Sequence, residues 1–194
     1  EMCIRDRVNF TPSMEVTEVW SKGLSSAEGF LVPAVYDDMV FAAGGKTLTR
    51  LNARTGETEW SVSFDSPITG GVGSDGYVTV VGLWDGNLEV VDAEGKVSWE
   101  KKLTTELASP PVVSHGLVIA RTMDTRVSAF EASSGELQWT YQKSQPALTV
   151  RLPTRMLAHD NFLLVGQPNG HIVILDIASG KPVFEFQVAQ AKGV

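Results

Sequence analysis

One phrase recurs along this chain: an apolar run, a polar turn ending in glycine, and an aromatic residue four positions after that glycine. Gly56/Trp60, Gly95/Trp99 and Gly135/Trp139 keep the interval, and Gly180/Phe184 keeps it with phenylalanine. The glycines are separated by 39, 40 and 45 residues, and Trp20 lies 40 residues before Trp60. A fixed period near 40 residues is the sign of a tandem array, in which no unit buries its apolar face alone and each must stack on its neighbours.

Each copy reads as four short strands. In the third copy these are Pro111 to Ser114, Leu117 to Thr122, Val127 to Ala132 and Glu136 to Tyr141. The second and third strands meet at Gly44-Gly45, Asp85-Gly86, Asp124-Thr125 and Asn169-Gly170. Three of these pairs suit a two-residue type I′ turn with positive φ at both centres, and Thr125 predicts a looser turn in the third copy. The third and fourth strands meet at Asn52-Ala53-Arg54-Thr55-Gly56 and its equivalents, where a leading polar side chain can bond its own backbone. The second copy, Asp92 to Gly95, is one residue shorter.

No segment sustains a helical 3.6-residue stripe, so the chain reads as all-β. Four-stranded units in tandem imply a β-propeller, with blades at about 30–64, 67–103, 108–143 and 153–188 inside a partial propeller spanning 10–194. The tryptophan of each outer strand is expected to cover the neighbouring blade, burying on the order of 200 Å² of ring. Trp84-Asp85 falls in a hairpin turn and occurs once, so it is not read as a WD repeat. Val16 to Leu24 reads as an outer strand without its blade. Four blades and one such strand do not close a ring, so the expectation is about half of a larger propeller with open blade faces. Glu1 to Asn9 fit no repeat and are expected to be a disordered or foreign tail.

Composition narrows the function. A net charge of −7 argues against a nucleic-acid partner. The single cysteine, Cys3, excludes an intramolecular disulfide and a cysteine-based zinc site. His115, His159 and His171 sit in or beside turns at no metal-ligand spacing, and Gly70-Gly71-Val72-Gly73 reads as close packing near the axis. No catalytic set, metal site or cofactor site is expected.

Departures from the repeat are where function is most visible. From blade aromatic to the next hairpin turn the interval is 25, 26 and 26 residues for Trp20, Trp60 and Trp99, but 31 for Trp139. The excess lies in Lys143 to Arg155, where Leu148, Val150 and Leu152 alternate between prolines and Arg151 and Arg155 bring positive charge. Long loops on rigid scaffolds commonly bind partners, and apolar residues beside an arginine make interface anchors. The competing reading folds these leucines back onto the blades.

The motifs, in their order, resemble the BamB family of bacterial outer-membrane assembly lipoproteins, within the wider group of PQQ-like repeat propellers. The resemblance runs from about Phe10 to Val194 and matches that family's N-terminal half. It rests on FTP…VW, LNARTGETEWSVS, LASPPVVSHGLVIARTMDTRVSAFEASSGELQW, and QPALTVR followed by VAQAKG. It implies half of an eight-bladed propeller and a non-enzymatic interaction subunit on the periplasmic side of the outer membrane. It implies a lipid-anchored parent protein and, as partner, the periplasmic domains of BamA. The family's partner-contacting loop falls on Leu148, Val150 and Arg151, and Leu152 stands where the family has glycine. Two alternatives share the blades: a piece of a PQQ-dependent dehydrogenase, which needs calcium ligands and a catalytic aspartate, and a PQQ-like ligand-binding or sensor propeller.

Overall fold

A computed structural model of the chain describes residues 16–25, 31–143, 154–167 and 170–188. The predicted tail at 1–9 lies outside them. The strands form four antiparallel sheets, each a simple meander of four. The first sheet holds β1 (Ala34–Tyr36), β2 (Met39–Gly44), β3 (Thr47–Asn52) and β4 (Thr58–Ser63). The second holds β5 (Ile68–Ser74), β6 (Thr79–Leu83), β7 (Asn87–Val91) and β8 (Val97–Lys102). The third holds β9 (Val112–Ser114), β10 (Leu117–Arg121), β11 (Val127–Glu131) and β12 (Leu137–Tyr141). The fourth holds β13 (Leu157–His159), β14 (Phe162–Gly166), β15 (His171–Asp176) and β16 (Pro182–Gln187). The fold is an all-β propeller array, and the first strands β1, β5, β9 and β13 lie side by side along its inner edge.

The sequence of each strand follows from its place in the blade. Middle strands are covered on both faces by neighbouring blades, so β6 (TVVGL) and β10 (LVIAR) are buried throughout. Outer strands are covered on one face only, and β4 (TEWSVS) alternates accordingly, with Trp60 and Val62 turned inward. Three apolar clusters lie between successive sheets. Phe41, Leu48, Ile68 and Val81 join the first to the second. Val80, Leu88, Val118 and Phe130 join the second to the third, and Ile119, Val127, Leu163 and Val173 join the third to the fourth. Cohesion therefore resides between blades rather than inside them.

The recurring aromatic explains the glycine. Trp60 donates its Nε1 hydrogen to the Ala93 carbonyl (3.0 Å), Trp99 to that of Ala132 (2.8 Å), and Trp139 to that of Ile177 (2.8 Å). Each ring lies flat on the turn glycine of the following blade: Gly95, Gly135 and Gly180. A Cβ there would stand less than 3.0 Å from the ring, and these glycines have φ of +83°, +71° and +67°. The tryptophan is thus held by the next repeat's glycine and not by the one four residues before it. The turns are fastened by their leading residues. Asn52 Oδ1 accepts from the N–H groups of Arg54 and Thr55, and Asp176 Oδ1 from that of Ser179 (2.9 Å). The shorter second turn closes from Gly95 to Asp92, whereas the first closes from Gly56 to Asn52.

Three sequence expectations fail locally. Residues 16–25 form no strand, and none of them joins any of the four sheets. Trp20 nevertheless docks as the other tryptophans do, its Nε1 donating to the Ala53 carbonyl (2.8 Å) and its ring on Gly56. The second hairpin turn is not type I′. Gly44 pairs with Thr47 as part of β2, leaving Gly45 as the positive-φ residue. In the other three blades a three-residue loop closes through Gly86, Thr125 and Gly170, whose N–H groups donate to the carbonyls of Leu83, Thr122 and Gln167. In the second and third blades only the third loop residue is left-handed, so Asp85 and Asp124 are not forced into that conformation. Thr125 adopts the same conformation (φ +70°) and closes at 2.9 Å, as Gly86 does, so the third turn is no looser. Positive φ at both centres occurs instead one turn earlier, at His115-Gly116.

Candidate partner-binding surface

Leu148, Val150 and Arg151 fall within 144–153, outside the described residues, and the two ends of their loop are described. At the first end, Lys143 pairs with Glu185 on β16, and the same carboxylate accepts from His171 Nδ1 at 3.1 Å. The Lys143 hydrogen bond holds the Glu185 carboxyl below its usual range. His171, beside its turn at the start of β15, is half-buried next to Glu185 of the neighbouring strand. At the second end, Thr154 Oγ1 accepts from Arg121 Nη1 at 2.7 Å and reaches the Gly166 carbonyl at 3.3 Å. The loop leaves an outer strand, returns to an inner one, and is tied to the blades at both feet.

Sequence reasoning missed Arg121. It is 3% exposed, and burial lowers its proton affinity. Cross-strand pairing places it in a column with Ala43, Gly82 and Gly166, all small. That column was the available signal: one long cation among small residues marks a seam built differently. Arg121 spends its reach on Thr154, a positioning contact for the foot of the loop. Arg155, next along, lines a cavity of about 340 Å³ with Thr69, Glu106 and Ser109, in which the Thr69 and Ser109 hydroxyls are buried without a partner.

The remaining sequence candidates are structural. Trp84 is exposed in the β6–β7 turn, where Asp85 Oδ1 accepts from the Asn87 N–H at 3.0 Å. A side chain at Gly70 would run into Leu107 and one at Gly71 into Pro110, so the glycine run of β5 is close packing against the third blade. Among the described residues, no group of three or more His, Cys, Asp or Glu is placed to hold a metal ion.

The architecture and its docking tryptophans define the class: a β-propeller built from PQQ-like repeats. Residues 44–194 match the family described as outer membrane protein assembly factor BamB. The chain is 36% identical over 188 residues to that factor from Burkholderia pseudomallei, covering 95% of this chain and 49% of the relative. It is 32% identical to the one from Bordetella pertussis, covering 95% and 48%. The crystal structure of BamB from Moraxella catarrhalis superposes with a TM-score of 0.74 at 30% identity, covering 84% of this chain and 50% of that one. The chain belongs to the BamB family, and it spans about half the length of the relatives it matches. A quinohemoprotein alcohol dehydrogenase from Comamonas testosteroni also superposes, with a TM-score of 0.65 at 20% identity over 86% of this chain and 36% of that one. That likeness is one of fold alone.

Proposed function

We propose that this chain is part of a non-enzymatic scaffold subunit of the outer-membrane β-barrel assembly machinery, acting on the periplasmic side of that membrane in a lipid-anchored parent protein. Its partner is the set of periplasmic domains of BamA. The observation that carries this reading is the long connection after Trp139 in a member of the BamB family. It is the one place where the blade spacing is broken, and both its feet are tied to rigid sheets through Lys143–Glu185 and Arg121–Thr154. A loop so tethered presents its residues at low conformational cost, because its ends are ordered before a partner arrives. Leu148 and Val150 serve as apolar anchors. Arg151 serves as a charge-assisted hydrogen-bond donor, a role for which guanidinium geometry is well suited.

The test is a pull-down with the periplasmic domains of BamA. Leu148→Asp and Arg151→Ala are each expected to weaken capture at least tenfold while the thermal unfolding midpoint of the propeller stays in place. Capture equal to that of the unsubstituted protein would refute the assignment. Titration with PQQ and calcium separates this reading from the dehydrogenase one, since a scaffold subunit is expected to bind neither together.

A further inference from the structure

Two residues beyond each recurring aromatic, the outer strand carries one more side chain on the same face as that aromatic. These are Val62, Lys101, Tyr141 and Phe186, paired across the ladder with Leu48, Leu88, Val127 and Ile172. Val62 and Tyr141 pack against the apolar clusters of their seams. Lys101 does not fill its seam, and a cleft of about 270 Å³ opens there between the second and third blades. Its floor is Phe130 and Leu137, and its wall carries the hydroxyls of Ser128 and Thr140, hydrogen-bonded to each other at 3.2 Å.

The groups facing this position change from seam to seam. Equivalent to Ser128 and Thr140 are Glu89 and Glu100 in the second blade, and Val173 and Glu185 in the fourth. The fourth-blade carboxylate is met by a cation from the third blade, Lys143. Between the second and third blades a cation, Lys101, stands two residues nearer the dock, at the position of Tyr141, and Thr140 replaces the carboxylate. Among the described residues Lys101 makes no ion pair. The other cations lining the cleft are engaged: Lys102 with the Asp85 carbonyl, and Arg126 with Asp124 and Gln142.

We infer that the cleft between the second and third blades binds a carboxylate carried on a short apolar body, such as a glutamate side chain flanked by aliphatic residues in a peptide. The ligand's carboxylate takes the place that Glu185 holds in the fourth blade, receiving Lys101 and the Ser128 and Thr140 hydroxyls. Its apolar atoms lie on Phe130 and Leu137. A charged partner in a partly desolvated cleft exceeds what a fully exposed pair provides, so affinity depends on Lys101 rather than on net charge. This site is separate from the loop after Trp139 and stands whether or not that loop binds BamA.

The test uses the isotopically labelled chain, titrated with acetyl-Leu-Glu-Leu-amide, with its glutamine counterpart, and with butyrate. The glutamate peptide is expected to shift the Lys101, Ser128 and Thr140 amide resonances saturably, and the glutamine peptide to bind at least tenfold more weakly. Saturable shifts with butyrate as well mean that a free small carboxylate suffices; shifts with the peptide alone assign the site to a peptide side chain. Lys101→Met should lower affinity at least tenfold. Thr140→Glu, which supplies the carboxylate from the chain itself, should block the site. Undiminished binding in either folded variant, or equal binding of the glutamine peptide, would overturn the proposal.

Discussion

Glu89 is the most consequential misfit in the scaffold. It is 7% exposed on β7 and lies across the ladder from Glu100, in a position that holds Thr49 with Ser61 in the first blade and Ser128 with Thr140 in the third. Burial, then the charges of Glu100, Asp85 and Asp65, raise its pKa from 4.5 to about 7. A carboxyl stands here beside a second acidic side chain, where the first and third blades have two hydroxyls. In the unfolded chain Glu89 loses its proton near pH 4.5, whereas the folded chain keeps it to about pH 7. The folded state therefore binds more protons between these values. The Glu89 contribution to stability is complete below pH 4.5 and is lost as the pH rises to about 7. Each tenfold change in proton affinity corresponds to about 1.4 kcal/mol, so the loss is bounded at about 3 kcal/mol. Glu89→Gln removes the charge and keeps the shape. It is expected to stabilise the chain by about 1–3 kcal/mol at pH 8 and by less than about 0.5 kcal/mol at pH 5. Urea midpoints at the two pH values for the parent and the variant measure this directly. A difference between the two proteins that does not change with pH would refute the argument from the raised Glu89 pKa.

The dock itself supplies further expectations. Gly135→Ala must hold φ +71° with a side chain and push the Trp99 ring aside. A loss of about 2–4 kcal/mol is expected, read from denaturant midpoints together with a change in tryptophan emission. Trp139 is 9% exposed and Phe184 is 64% exposed at the equivalent position. Trp139→Ala should accordingly cost about 3–5 kcal/mol and Phe184→Ala less than about 1 kcal/mol, compared by thermal unfolding.

The scaffold was legible because its determinants are periodic. The glycine and the aromatic recur in register, and the strands of the third blade lie within one residue of the segments read from sequence. What escaped depends on partners distant in the chain. Val16 to Leu24 has the composition of an outer strand, yet a strand exists only when another backbone pairs with it, and composition cannot supply one. The type I′ expectation treated Asp-Gly and Asn-Gly as complete turns. In the three-residue loops of the second and third blades a single left-handed position suffices, which is also why Thr125 is tolerated. Lys101 and Arg121 were visible in principle. Each is a cation in a column of apolar or small residues, but columns can be compared only after the blades are aligned strand by strand. Leu148, Val150 and Arg151 lie outside the described residues, and their proposed role rests on the sequence spacing and the family resemblance.

The forward-reaching dock gives the array a direction. Every described blade receives an aromatic from the segment before it, Trp20 onto Gly56 being the first, and the first three pass one on to the blade after. In a linear array, where stability is close to a sum of unit and neighbour terms, a blade that receives without passing on lacks one term. Coupling between blades is thus carried one way along the chain: loss of Trp60, Trp99 or Trp139 uncovers the turn of the blade that follows it, at Gly95, Gly135 or Gly180.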